Sequence, residues 1–130
     1  MKPKTKIIEI NGKKYKLSKM DAKTGSYVAF KLAVVVAPAL KTGAVENALS
    51  QISTLPRKEF EELQTLLLQT VAEIKEVNGE NMPMSLLRNG SFMDEELQYD
   101  VSTVMQLTVQ AALFNVGDFF AGNVESQEKK

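Results

Sequence analysis

The chain has sixteen carboxylate side chains but no His and no Cys, so general acid–base work by Asp and Glu is the only side-chain chemistry worth testing first. Carboxylates sit close in sequence at Glu61/Glu62, Glu73/Glu76 and Glu95/Glu96. Acid–base catalysis needs two carboxylates held apart across a cleft in contrasting environments. Neighbours on one turn read instead as a solvated helix face. The absence of His and Cys removes the Ser–His and Cys–His nucleophile arrangements. It also removes zinc fingers and thiolate clusters. A carboxylate-only Mg²⁺ or Ca²⁺ site survives in principle, yet no spacing suggests one. Asn11-Gly12-Lys13-Lys14 resembles a fragment of a phosphate loop without its full spacing, and a hairpin turn explains it better. The expectation is a non-enzyme with no catalytic, cofactor-binding or metal-binding residue.

Two apolar features point to partners instead. Phe119-Phe120 follows Gly117 and precedes a polar tail; the pair either folds back as a lid on the core or stays exposed as an anchor. Leu63, Leu66, Leu67 and Leu68 form a leucine-rich stripe that reads first as core, yet Leu68 lies off the Phe60/Leu63/Leu67 line, so cover from beyond a single-sided core is the other reading. Leu68, Phe119 and Phe120 are the candidate partner-binding residues.

These residues need elements to position them. Lys6–Ile10 and Lys13–Leu17 flank Asn11-Gly12, the preferred pair for a two-residue type I′ turn, and Ile8, Ile10, Tyr15 and Leu17 then share one face. Helix one runs from Asp21–Ser26 to about Lys41, capped by Asp21 or Thr24. Pro38 should kink or break it near Val34–Ala37. A short helix is predicted over Ala44–Ser50. Helix two is predicted over Pro56–Val77 from Phe60, Leu63, Leu67, Ile74 and Val77, closed by Asn78-Gly79. Residues 80–98 read as irregular, with a second short hairpin at Asn89-Gly90 or a loop. Helix three runs from Tyr99 or Asp100 to Val116 and stops at Gly117. The fold expected is α+β, a mostly helical domain with an N-terminal β-hairpin and three main helices. Residues 1–122 form the domain and 123–130 a disordered polar tail.

The net charge of zero conceals a segregation. Residues 1–41 carry ten lysines against Glu9 and Asp21, or +8; residues 42–130 carry six basic and fourteen acidic residues, or −8. The two halves attract each other within one fold or between copies, so salt-sensitive self-association is expected. Nucleic-acid binding is disfavoured, because Arg57 and Arg88 are the only arginines and the aromatics are not interleaved with the lysines. The most apolar run, residues 27–40, is interrupted by Lys31 and Pro38 and is too short to span a bilayer. No disulfide framework is available. A soluble cytoplasmic protein is the expectation.

Tyr15-Lys16-Leu17, Ala29-Phe30-Lys31-Leu32, Ala37-Pro38-Ala39-Leu40 and the closing Leu113-Phe114-Asn115-Val116-Gly117-Asp118-Phe119-Phe120 resemble, in order and spacing, the tail assembly chaperones of long-tailed bacteriophages and prophages of Gram-positive bacteria. Asn-x-Gly-Asp-Phe-Phe is the most telling piece; Phe92–Leu97 matches the family only loosely. The resemblance implies a non-enzymatic factor that coats the tape-measure protein, helps recruit tail-tube subunits around it, and is not in the mature virion. The rival reading is a small interaction or regulatory module that binds protein or nucleic acid through the lysine-rich hairpin. The resemblance also implies a longer, frameshifted form. Lys129-Lys130 is compatible with an adenine run on which ribosomes slip. Sequencing the gene is expected to show a slippery heptamer there and an open overlapping frame; a closed frame ends the idea.

Overall fold

The computed structural model describes the backbone of residues 4–42 and 54–128 and the side chains of residues 4–33 and 54–117. The short helix expected over Ala44–Ser50 lies outside the described residues. The chain opens with strands β1 (Thr5–Ile10) and β2 (Lys13–Ser18), paired antiparallel with Ile8 opposite Tyr15 and Ile10 opposite Lys13. Asn11 and Gly12 both take positive φ, 53° and 80°, as a type I′ turn requires. The alternation expected from sequence holds: Tyr15 and Leu17 are fully buried, Ile10 is buried, and Ile8 packs against them.

Helix α1 (Ala22–Thr42) follows. Asp21 caps it, accepting hydrogen bonds from the Thr24 amide at 3.0 Å and the Thr24 hydroxyl at 2.7 Å. The Thr24 hydroxyl holds the Asp21 carboxyl below its usual range. The helical assignment continues through Pro38. Helix α2 (Arg57–Leu68) comes next, and here the sequence reading fails. Helix two was expected to reach Val77. Instead Thr70 ends it: its hydroxyl and amide both bond the Leu67 carbonyl, at 2.7 and 3.1 Å, while its own carbonyl accepts the Ser18 amide at 3.0 Å. One residue therefore closes the helix and begins a pairing with β2.

Residues Val71–Val77 are strand β3, paired antiparallel with both β2 and β4 (Glu80–Ser85). Asn78 and Gly79, read as a helix end, repeat the 53° and 80° of the first turn. Asn89 and Gly90 do so again between β5 (Leu87–Arg88) and β6 (Ser91–Phe92). The stretch expected to be irregular is thus largely built from two hairpins. A four-residue helix α3 (Glu95–Gln98), capped by Asp94, leads into α4 (Val101–Glu128).

The expectation of a mostly helical α+β domain with one hairpin and three main helices is overturned. Among the described residues a four-stranded antiparallel sheet in the order β1-β2-β3-β4 and a separate two-stranded sheet accompany four helices. Isoleucine and valine at 74 and 77 fit a helical stripe and a strand equally well, and the turn at 78–79 decides between them. A second correction concerns Gly117, which does not stop the last helix.

The helices cover one face of the sheet. Helix α4 packs on β2 and on the three other described helices, and Leu107 and Ala111, both at 0% exposure, place its apolar stripe in one core with Tyr15, Leu17, Val28, Leu67 and Val71. Two glycine variants check these turn and helix assignments by thermal unfolding. Gly79→Ala meets no steric neighbour but must hold φ +80°, so it is expected to cost about 1–2 kcal/mol. Gly117→Ala gains helix propensity, its new methyl at 4.0 Å from Leu113 Cβ, and is expected to stabilise by up to about 1 kcal/mol.

Candidate partner-binding surface

The segment carrying the familiar closing motif is held by polar contacts at both ends of the β2–α4 interface. At its start, Asp100 caps α4, accepting from the Thr103 amide at 3.0 Å and hydroxyl at 2.7 Å. These bonds from Thr103 hold the Asp100 carboxyl below its usual range. The Thr103 hydroxyl in turn accepts a hydrogen bond from Asn11 Nδ2 at 2.9 Å. The turn asparagine is thereby fastened to the helix cap.

Twelve residues on, about 18 Å along the helix, Asn115 performs the matching task. Its Oδ1 accepts the Met20 amide at 2.7 Å, and its Nδ2 donates to the Ser18 carbonyl at 3.3 Å and the Ala111 carbonyl at 3.0 Å. Lys19 Nζ donates to the Phe114 carbonyl and lies 4.3 Å from the Phe114 ring centroid, a geometry in which cation and ring attract. Asn115, the first residue of the Asn-x-Gly-Asp-Phe-Phe piece, therefore ties the β2–α1 connection to α4. Val116 beside it is buried in the core, and Leu113 is 60% exposed.

The three candidate residues fare differently. Leu68 is 2% exposed and sits in the core with Leu63 and Leu67, so what covers it is this chain, and a partner reaches it only if the core opens. Phe119 and Phe120 lie on the backbone of α4, and their side chains lie outside the described residues.

Exposed apolar side chains that the sequence reading missed lie elsewhere. Register places Val77, Met82 and Met84 on the same sheet face as the core, each opposite a β-strand partner, and they remain 41–44% exposed. Phe30 on α1 is 79% exposed, Tyr99 77% and Val101 76%. The signal for the methionines is the alternation Met82-Pro83-Met84, two residues beyond the Asn78-Gly79 pair. Phe30 stands on a helix face that the core leaves open, beside the buried Val28, Ala29 and Leu32.

The segregated charges meet within the fold. Lys13 lies 3.7 Å from both Asp94 and Glu96, and Lys31 lies 3.8 Å from Glu59. Partial desolvation works against the charged Lys13 amine, but Glu73, Asp94 and Glu96 outweigh it and raise its pKa. Burial raises the Tyr15 phenol, and buried Glu73 adds to the effect. Tyr27 donates to Glu62 at 2.5 Å, bridging α1 and α2; that bond raises its phenol too. Among the described residues no cluster of carboxylates is arranged to hold a metal ion, and no helix is long and apolar enough to cross a membrane.

Over residues 11–126 the chain matches a family described as phage tail assembly chaperone protein. No curated protein and no solved structure matches it. The matched span contains Asn11, Thr103 and Asn115, and their clamp supplies a test. Asn115→Ala removes one acceptor and two donor contacts, and takes a partner from the part-buried Met20 amide and Ser18 carbonyl. Urea unfolding is expected to show a loss of about 1–3 kcal/mol; unchanged stability means the clamp contributes nothing.

Proposed function

Because the chain belongs to the phage tail assembly chaperone family, we propose that it is a non-enzymatic chaperone that coats the tape-measure protein during tail morphogenesis and helps recruit tail-tube subunits. The family match over nearly the whole chain carries this reading. The apolar residues that stay exposed beside the core support it, since a coat for an aggregation-prone helical protein must offer apolar surface before its client arrives. In this reading the protein works in the host cytoplasm and leaves before the virion is complete. Phe119 and Phe120 serve the partner, residues 1–122 form the folded unit, and the polar residues 123–130 are dispensable for folding.

Self-association belongs to the same proposal. The ion pairs of Lys13 and Lys31 are spent inside the fold, so contacts between copies draw on the remaining lysines and acids and weaken as salt screens them.

Co-expression with a tape-measure fragment tests the reading. The fragment is expected to stay soluble and co-purify with the full chain, and light scattering of the chain alone is expected to show assemblies larger than a monomer at low salt. The double variant Phe119→Ala/Phe120→Ala is expected to keep its melting temperature and lose the fragment. A core role for the rings would instead lower stability by about 3–5 kcal/mol for each buried ring. Failure of the unaltered chain to retain the fragment would overturn the chaperone assignment.

A further inference from the structure

The four-stranded sheet ends on two edges of different character. Two-residue turns fix which backbone groups face outward, because bonded pairs alternate with non-bonded ones along an antiparallel ladder. In the first hairpin the bonded pairs are Ile10 with Lys13, Ile8 with Tyr15 and Lys6 with Leu17. The series continues with the Lys19 amide on the Lys4 carbonyl at 3.0 Å. The amide and carbonyl groups of Thr5, Ile7 and Glu9 therefore point away from β2. The same count in the second hairpin points Asn81, Pro83 and Ser85 away from β3. Pro83 has no N–H, so the β4 edge lacks its central donor, a usual way of blunting an edge. The β1 edge keeps all three donors and all three acceptors, and no described strand pairs with it.

Charge distinguishes the edges further. Lys4 and Lys6 lie on or beside β1, and Lys14 and Lys16 stand on its neighbour, with Glu9 the only acid on either strand. None of these four amines has an ion-pair or hydrogen-bond partner among the described residues. Ile7 is 54% exposed on the open face.

We propose that β1 is a strand-addition site whose occupant is an extended acidic segment of another polypeptide, joining the sheet as its fifth strand. Main-chain bonds to Thr5, Ile7 and Glu9 hold it. Acids opposite Lys6 and Lys4 are favoured, and an acid opposite Glu9 is disfavoured, which sets the register. A second copy is the poorer occupant, because antiparallel β1–β1 pairing about Ile7 brings the two Lys6 side chains onto a diagonal. This proposal does not depend on the chaperone reading.

Amide hydrogen exchange by NMR on the full chain tests it, with a blocked peptide of about ten residues alternating glutamate and valine as the probe. Exchange at Thr5, Ile7 and Glu9 is expected to slow by about tenfold or more at saturation, with Asn81 and Ser85 unchanged. Ile7→Pro removes the central outward donor while sparing every β1–β2 bond, and is expected to abolish the protection. Lys6→Glu is expected to weaken peptide affinity about two- to fivefold, as one exposed charge pair allows, and decides the charge argument even if Ile7→Pro does not fold. No protection in the unaltered chain overturns the site. Equal protection by a peptide with lysine in place of glutamate overturns the acidic occupant. Protection that grows with the chain's own concentration, without peptide, assigns the edge to a second copy and also overturns it.

Discussion

The lengthwise contact between α4 and β2 is the constraint on which the remaining structure depends. A six-residue strand spans about 20 Å, close to the helical distance between Thr103 and Asn115. Asn11 and Asn115 therefore fasten the two elements at matching points. Between these fastenings lie fully buried side chains, Tyr15 and Leu17 from the strand and Leu107 and Ala111 from the helix. Helices α1, α2 and α3 all pack on α4, so an error in its placement would propagate to each. The polar ends carry directional information that the apolar middle lacks: a helix sliding by one turn along the strand would keep most of its buried area but lose all of the asparagine bonds.

The first hairpin, the Asp21 cap and the start of the last helix were legible because each is announced by local chemistry: an Asn-Gly pair between alternating segments, and an acidic residue three before a threonine. The second hairpin was misread although it carries the same announcement. Its strand β3 follows a real amphipathic helix after only two residues, and Ile74 and Val77 continue that helix's spacing by coincidence. The three Asn-Gly pairs take the same φ values, 53° and 80°, so the second pair marks a hairpin as plainly as the first. Gly117 misled for the opposite reason. A glycine ends a helix only when the chain needs a left-handed residue there, and the packing of α4 against β2 supplies no such need.

The candidate surface was less legible than the fold. Leu68 departs from the helical line of its neighbours yet is buried in one core with Leu63, Leu67 and Val71, the first residue of β3. The exposed methionines of β4 were hidden within the segment taken as irregular. The sequence shows no physical task for Asn115, and its three hydrogen bonds explain why an amide, with both donor and acceptor, suits that position better than a carboxylate or an alkyl group.

Fastening residues 11 and 18–20 to residues 103 and 115 has a consequence for biosynthesis. The first hairpin leaves the ribosome early, but an isolated hairpin is marginal in water, and its core partner is encoded some ninety residues later. Until that helix emerges, Tyr15 and Leu17 have no permanent neighbour. Loop closure over such a span costs entropy before any contact rewards it. The core of the first hairpin therefore closes only once the last helix is available, and its lysine-rich strands precede that helix out of the ribosome by some ninety residues.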